Sequence, residues 1–271
     1  MMRILRSAQH SAMLQLRLFF IALQFFTRIP IPHWVGFEAQ WLQASVRFFP
    51  WVGLVVGAVA ALVYWLLAHI VPQAAAVLLS TIATIYLTGA FHEDGFADMC
   101  DGFGGGMTPE RVLEIMQDSR VGAYGAIGIA LILGLKCTLL SLLPPLLVVP
   151  ILLLVHPASR LAATGLIWTL TYVRGAGKAK PLAQQISNVE FFIALLPVAA
   201  LGLCLWYAGY LQASSILLAV FVALGVAIWM GRGMRKRIGG FTGDCLGATQ
   251  QVVEVAMYLA LLAGYSRPAL G

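Results

Sequence analysis

What most limits the folds open to this chain is the length of its uncharged runs. Residues 51–71, 74–91, 123–143, 146–170, 190–209, 213–231 and 247–264 are predominantly apolar. A bilayer core takes about 20 apolar residues of helix, so each run reads as a membrane span. Only 10% of the residues are charged and 61% are hydrophobic, whereas a soluble domain carries roughly 25% charged residues. The expectation is an all-α polytopic integral membrane protein with about seven transmembrane helices. Residues 1–271 form one membrane-embedded catalytic domain on this reading, with no internal repeat. The segment 14–27 is shorter and flanked by Arg17 and Arg28. It reads as an interfacial helix. LRLFFIALQFF is not followed by a small-residue cleavage site, so no signal peptide is expected.

The basic residues sort by side. Arg3, Arg6, Arg17, Arg28 and Arg47 precede the first span, and Arg111 and Arg120 follow the second. Arg174, Lys178 and Lys180 follow the fourth, and Arg232, Arg235, Lys236 and Arg237 follow the sixth. The intervening connections near Pro72, Pro144 and Tyr210 carry none. Lys and Arg mark cytoplasmic loops, so the loops 92–122, 172–188 and 232–246 are expected to face the cytoplasm. The net charge of +6 then reports topology; without a basic stripe interleaved with aromatics, no nucleic-acid partner is expected. The partner is the lipid bilayer, and an oligomer is compatible with the sequence. Cys100, Cys137, Cys204 and Cys245 lack metal-ligand spacing and read as free thiols. Within the fourth span Pro150 and Pro157 are expected to kink or break the helix. Arg160, and with it Lys136 in the third span, either meets a backbone carbonyl or lines a cavity.

Against this background, residues 92–106 read HEDGFADMCDGFGGG. Glu93, Asp94, Asp98, Asp101, Glu110, Glu114 and Asp118 are seven of the chain's 11 acids; Glu38, Glu190, Asp244 and Glu254 are scattered. Asp94, Asp98 and Asp101 are spaced i, i+4, i+7 and share one face if the stretch is helical. Glu114 and Asp118 are again i, i+4, in a segment that Thr108 would cap and Pro109 would open. Two such faces repel unless a cation lies between them, and hard carboxylate ligands suit Mg²⁺. Gly104, Gly105 and Gly106 lie in the expected loop between the faces, where backbone amides meet phosphate. Arg120 supplies charge nearby, and the combination suggests phosphoryl transfer. Solvated turns would account for the same residues, although acids at the membrane edge are functional by default. His92 reads as a metal ligand, a general base or an interfacial residue. Thr242 or Asp244 either caps the last span or meets ligand. Lys178, with Arg174 and Lys180, is either a topogenic signal or a phosphate contact.

HEDGFADMCDGFGGG and RVLEIMQDSRVGAYGA, in order with FFTRIPIP, FFPWVGLVVG, YVRGAGKA and GGFTGDCLGA, resemble the cobalamin synthase family, adenosylcobinamide-GDP ribazoletransferase. The resemblance covers most of the chain. It implies a Mg²⁺-dependent enzyme of the bacterial or archaeal inner membrane, with its active site facing the cytoplasm. Such an enzyme joins adenosylcobinamide-GDP to α-ribazole, or to α-ribazole 5′-phosphate, and releases GMP. On that basis Asp94, Asp98, Asp101, Glu114 and Asp118 are the expected metal or base residues. His92, Glu93, Arg120 and Asp244 stand behind them. DGFADMCDG also echoes the CDP-alcohol phosphotransferases, although the later motifs of the chain do not belong to that pattern. An ion-coupled transporter is a third reading, but the acids gather at one edge instead of at midplane.

Overall fold

The computed structural model describes residues 2–173 and 185–266. These residues form eleven α-helices: α1 (Met2–Phe26), α2 (Ala39–Ala44), α3 (Phe49–Leu67), α4 (Gln73–Thr88), α5 (Phe91–Gly105), α6 (Pro109–Ile115), α7 (Ala123–Leu142), α8 (Pro145–Thr169), α9 (Asn188–Tyr207), α10 (Ala213–Ile238) and α11 (Gly243–Ser266). Among the described residues the one β-contact is an isolated parallel bridge between Tyr172 and Phe241. Six helical segments are long and apolar enough to cross a membrane: Gln40–Leu67, Ala123–Leu142, Pro145–Thr169, Asn188–Tyr207, Ala213–Ile238 and Gly243–Tyr265. The chain is an all-α, multi-pass membrane protein.

The expected second span differs. Helix α4 has 16 residues, about 24 Å at 1.5 Å per residue, short of a ~30 Å hydrocarbon core. It stops at Gly89, and α5 leaves at 89° to it. The turn is made by consecutive left-handed residues, Gly89 at φ 64° and Ala90 at φ 57°. Left-handed backbone costs an alanine roughly 1–2 kcal/mol, so tertiary packing must hold the corner. One candidate span is thus a bent pair whose second arm carries the acid-rich sequence. The N-terminal helix is longer than its apolar part: α1 starts at Met2, and the short apolar segment is Ala12–Phe26.

Packing between spans relies on small residues, which let helix backbones approach where lipid supplies no hydrophobic drive. Gly53 and Gly57 of α3 lie against α8. A Cβ on Gly53 would sit 2.7 Å from the His156 carbonyl oxygen and from Pro157 Cα, and one on Gly57 would sit 2.9 Å from the Leu152 carbonyl. Helix α8 continues through Pro150 and Pro157, so of the expected kink or break, a break does not occur. Buried polar donors gather at the second proline: the His156 carbonyl accepts from Arg160 Nη1 at 3.0 Å and from Ser159 Oγ at 3.1 Å. Arg160 is therefore a buried residue bound to a backbone carbonyl, and its side chain also borders a small cavity.

Candidate active site

Helix α5 is wedged between α11 and α7. On the α11 side, Gly95 and Gly247 form the crossing. A Cβ on Gly95 would lie 2.9 Å from Asp244 Cα, and one on Gly247 would lie 3.2 Å from the His92 carbonyl. Asp244, remote in sequence, is thereby brought beside the acid-rich helix. The hydroxyl of Thr242 caps α11, accepting from Cys245 N at 3.3 Å, and donates to Asp244 Oδ2 at 3.4 Å. Of the two capping alternatives, Thr242 is the one adopted.

The acid-rich stretch is helical, so Asp94, Asp98 and Asp101 share a face. Asp94 is exposed and Asp98 half-buried. Asp101 serves the structure, because its Oδ2 accepts from Gly122 N at 2.7 Å and its Oδ1 from Gly125 N at 2.8 Å. It satisfies amides at the start of α7 that have no partner within that helix. Gly122 and Gly125 are glycine because a side chain there would run into this carboxylate.

Downstream, Thr108 caps α6 as expected, accepting from Arg111 N at 3.3 Å, and Pro109 opens the helix. The helix ends at Ile115, so Asp118 lies beyond it and does not share a helical face with Glu114. Glu114 pairs with Arg111 at 2.8 Å in the open. Asp118 accepts from Arg120 N at 3.0 Å and from Arg120 Nη2 at 2.6 Å. The Arg120 guanidinium holds the Asp118 carboxyl down to about 2, and Asp118 in turn raises Arg120. Among the described residues, no group of three or more His, Cys, Asp or Glu side chains is gathered closely enough to hold a metal ion. The five-carboxylate set expected from the sequence is therefore not assembled.

Two further expectations are corrected. Gly104 and Gly105 are helical, and Gly106 is the C-cap of α5, its amide donating to the Gly102 carbonyl at 2.9 Å. These glycines do not form a loop of free amides. They make room: a Cβ on Gly104 would meet the Tyr124 ring at 2.6 Å. Arg237 closes this end, donating to the carbonyls of Gly106 at 2.6 Å and Phe103 at 3.1 Å, with its guanidinium over the Phe103 ring. His92 points away from the three aspartates. It is buried, stacks on Phe26 at 5.4 Å and lines a cavity of about 20 Å³ with Arg160 and Gln250. Its contacts here are those of packing. Lys178 lies outside the described residues.

Sequence reasoning missed a buried polar cluster behind α5. Lys136 Nζ of α7 meets Glu254 Oε1 of α11 at 2.6 Å, both side chains almost wholly enclosed. Tyr258 donates to the same oxygen at 3.2 Å, and His156 Nδ1 lies 3.6 Å from the other. Gln250 donates to Glu254 and to Ser159 Oγ, while Gln251 donates to Glu93 Oε1 at 2.8 Å. Gln251, next to Gln250 on α11, thus carries a separate bond from this helix to the acid-rich one. The available signal was one Lys and one Glu inside otherwise apolar spans, which must pair.

A family model described as cobalamin-5-phosphate synthase matches residues 18–262. The chain belongs to this family. Membership covers every element of the site from α5 to α11. The adenosylcobinamide-GDP ribazoletransferase of Leptothrix cholodnii is 47% identical over 253 residues, spanning 92% of this chain and 96% of the relative. Proteins of the same description from Shewanella frigidimarina and Vibrio cholerae are 45% and 43% identical, each across 92% of this chain. No solved structure matches.

Proposed function

We propose that the chain is an adenosylcobinamide-GDP ribazoletransferase, joining adenosylcobinamide-GDP to α-ribazole or its 5′-phosphate with release of GMP. The observation that carries this reading is α5: a helix of the family's acid-rich sequence, turned 89° out of its span, with Asp94 and Asp98 one turn apart on the aspartate face. In the reaction a ribazole hydroxyl oxygen bonds to the phosphorus that stays with the corrinoid. The pyrophosphate bridge breaks, GMP departs with the bond's electron pair, and the hydroxyl proton passes to a carboxylate. On this reading the acceptor of that proton is Asp94 or Asp98, whereas Asp101 holds the amides of Gly122 and Gly125.

Mg²⁺ belongs to the proposal. It is commonly held by one or two carboxylates plus substrate phosphates and water instead of by an all-protein cage. Asp94 and Asp98 fit that donor set without a preformed third ligand. The ion would neutralise charge on the pyrophosphate and on departing GMP. Arg111 and Arg120 lie in the segment that follows, paired with Glu114 and Asp118, and Asp244 borders the helix.

The test is direct. Purified protein with adenosylcobinamide-GDP, α-ribazole and Mg²⁺ should yield equal amounts of GMP and joined corrinoid, and chelation should stop both. GMP without joined corrinoid would make the chain a hydrolase; neither product would sink the reading. We further place α5 on the cytoplasmic side of the inner membrane, as the basic loops support. Met107 is 91% exposed just beyond α5. In a background lacking native thiols, Met107→Cys should react with an impermeant maleimide in inverted vesicles only. Reaction in right-side-out vesicles would reverse the orientation.

A further inference from the structure

Between α8, α9 and α10 runs a cleft of about 1110 Å³, larger than the ~300–1,000 Å³ of ordinary small-molecule pockets. It extends from Trp206 and Ala213 at one end to Trp168, Arg232 and Arg235 at the other. The stretch of α10 from Ala213 to Arg235 corresponds to about 33 Å of helix, close to the depth of a hydrocarbon core. Gly165 and Gly202 leave room in its walls: a Cβ there would have its nearest neighbour 3.9 Å away. No residue of α5 lines it, so it is separate from the aspartate face.

Its charge is one-sided. The lining holds Arg232 and Arg235 at one end and no acidic residue anywhere. Arg235 Nη2 reaches the Thr169 carbonyl at 3.5 Å. Below the arginines the walls are Leu, Ile, Val, Ala and Phe side chains of spans that face the bilayer. A water-soluble ligand would leave those walls poorly matched, and an empty cleft would forfeit their dispersion contacts. Basic pockets between transmembrane helices at the cytoplasmic side suit anionic headgroups, and guanidinium groups bind phosphate oxygens in a bidentate manner.

We propose that this cleft is a binding site for an anionic phospholipid, with acyl chain between α9 and α10 and headgroup phosphate on Arg232 and Arg235. The occupant follows from charge complementarity at one end and apolar walls over the rest. The proposal does not depend on the ribazoletransferase reading.

The full-length chain, reconstituted in nanodiscs of equimolar phosphatidylglycerol and phosphatidylcholine and transferred to mild detergent, can be read by native mass spectrometry. Phosphatidylglycerol should be retained over phosphatidylcholine by roughly fivefold per arginine and about thirtyfold for the pair, from the usual worth of a basic residue at an anionic surface. Arg232→Gln/Arg235→Gln should keep a lipid but lose the preference, and Arg232→Lys/Arg235→Lys should keep the preference. Gly202→Leu, which fills the cleft from α9, should lower retention of both lipids. Equal retention by the wild type, or a preference unchanged in the double glutamine variant, would overturn the site. So would a lipid-free species of doubled mass, which would put a second copy of the chain in the cleft.

Discussion

Asp118 receives the backbone amide and the guanidinium of Arg120 on both carboxylate oxygens, and the side-chain bonds do most to hold it down to about 2. That is below the ~3.9 of an unperturbed aspartate. The interaction is therefore fully present above about pH 4 and fades as pH falls through about 2. Asp118 should not titrate between about pH 5 and 8. An acid limb in the rate profile over that range should persist in Asp118→Asn; loss of the limb would show that Asp118 ionises there after all. Asp101, tied to Gly122 and Gly125, positions α7, and Glu190 is likewise structural. The latter forms a capping box with Ser187 and pairs with Arg47 at 2.5 Å. The periodicity of Asp94, Asp98 and Asp101 was legible from spacing alone. That Asp101 is engaged by amides 21 and 24 residues later was not, because nothing local in the sequence specifies that approach.

Among the elements, the α3–α8 contact makes the sharpest prediction. Gly53→Ala drives a methyl into the backbone of His156 and Pro157, atoms that cannot rotate aside. Overpacking of this kind costs about 1–3 kcal/mol, readable as a lower midpoint of thermal unfolding in detergent. Gly134→Ala, where nothing lies within 4 Å of the new Cβ, should keep the midpoint or raise it, since Ala favours a helix interior over Gly by about 0.5–1 kcal/mol. A similar midpoint for the two variants would contradict the tight crossing. The spans were readable because a long run without charge in a chain this apolar is best matched to a hydrocarbon layer. The corner at Gly89 and Ala90 was not, since Gly-Ala carries no strong break signal and left-handed alanine needs tertiary support. Nor was the helicity of Gly102–Gly105, which depends on Met116 and Tyr124 packing where side chains would otherwise be.

The pair of Lys136 and Glu254 joins α7 to α11 at the back of α5. Removing one member of a buried pair costs about 3–5 kcal/mol, whereas replacing both is often nearly neutral. Lys136→Met should therefore lower thermal stability more than Lys136→Met/Glu254→Gln. A double variant at least as unstable as the single one would show that the bonds from Tyr258 and Gln250 to Glu254, and not the pair with Lys136, carry its contribution. An intramembrane Glu announces that a partner exists; whether it is Lys136 or Arg160 depends on helix rotation, which apolar periodicity leaves open in spans that are apolar all round.

At the scale of the whole molecule, the spans form a scaffold holding one bent-out helix, with α11 and α7 on its flanks, Arg237 on its C-terminal carbonyls and a buried polar cluster behind Glu93. The central claim is that Asp94 and Asp98 on the aspartate face of α5 carry out the transfer. Its most direct test is the single-turnover rate of GMP release from adenosylcobinamide-GDP and α-ribazole, measured on variants matched for expression and thermal midpoint. Losing a group that acts in the transition state costs on the order of 10²–10³ in rate. Asp94→Asn and Asp98→Asn should each fall by that order, while Glu110→Gln, an exposed acid in the first turn of α6, should stay within about twofold of wild type. Full GMP release from the Asp94→Asn/Asp98→Asn double variant would contradict the account.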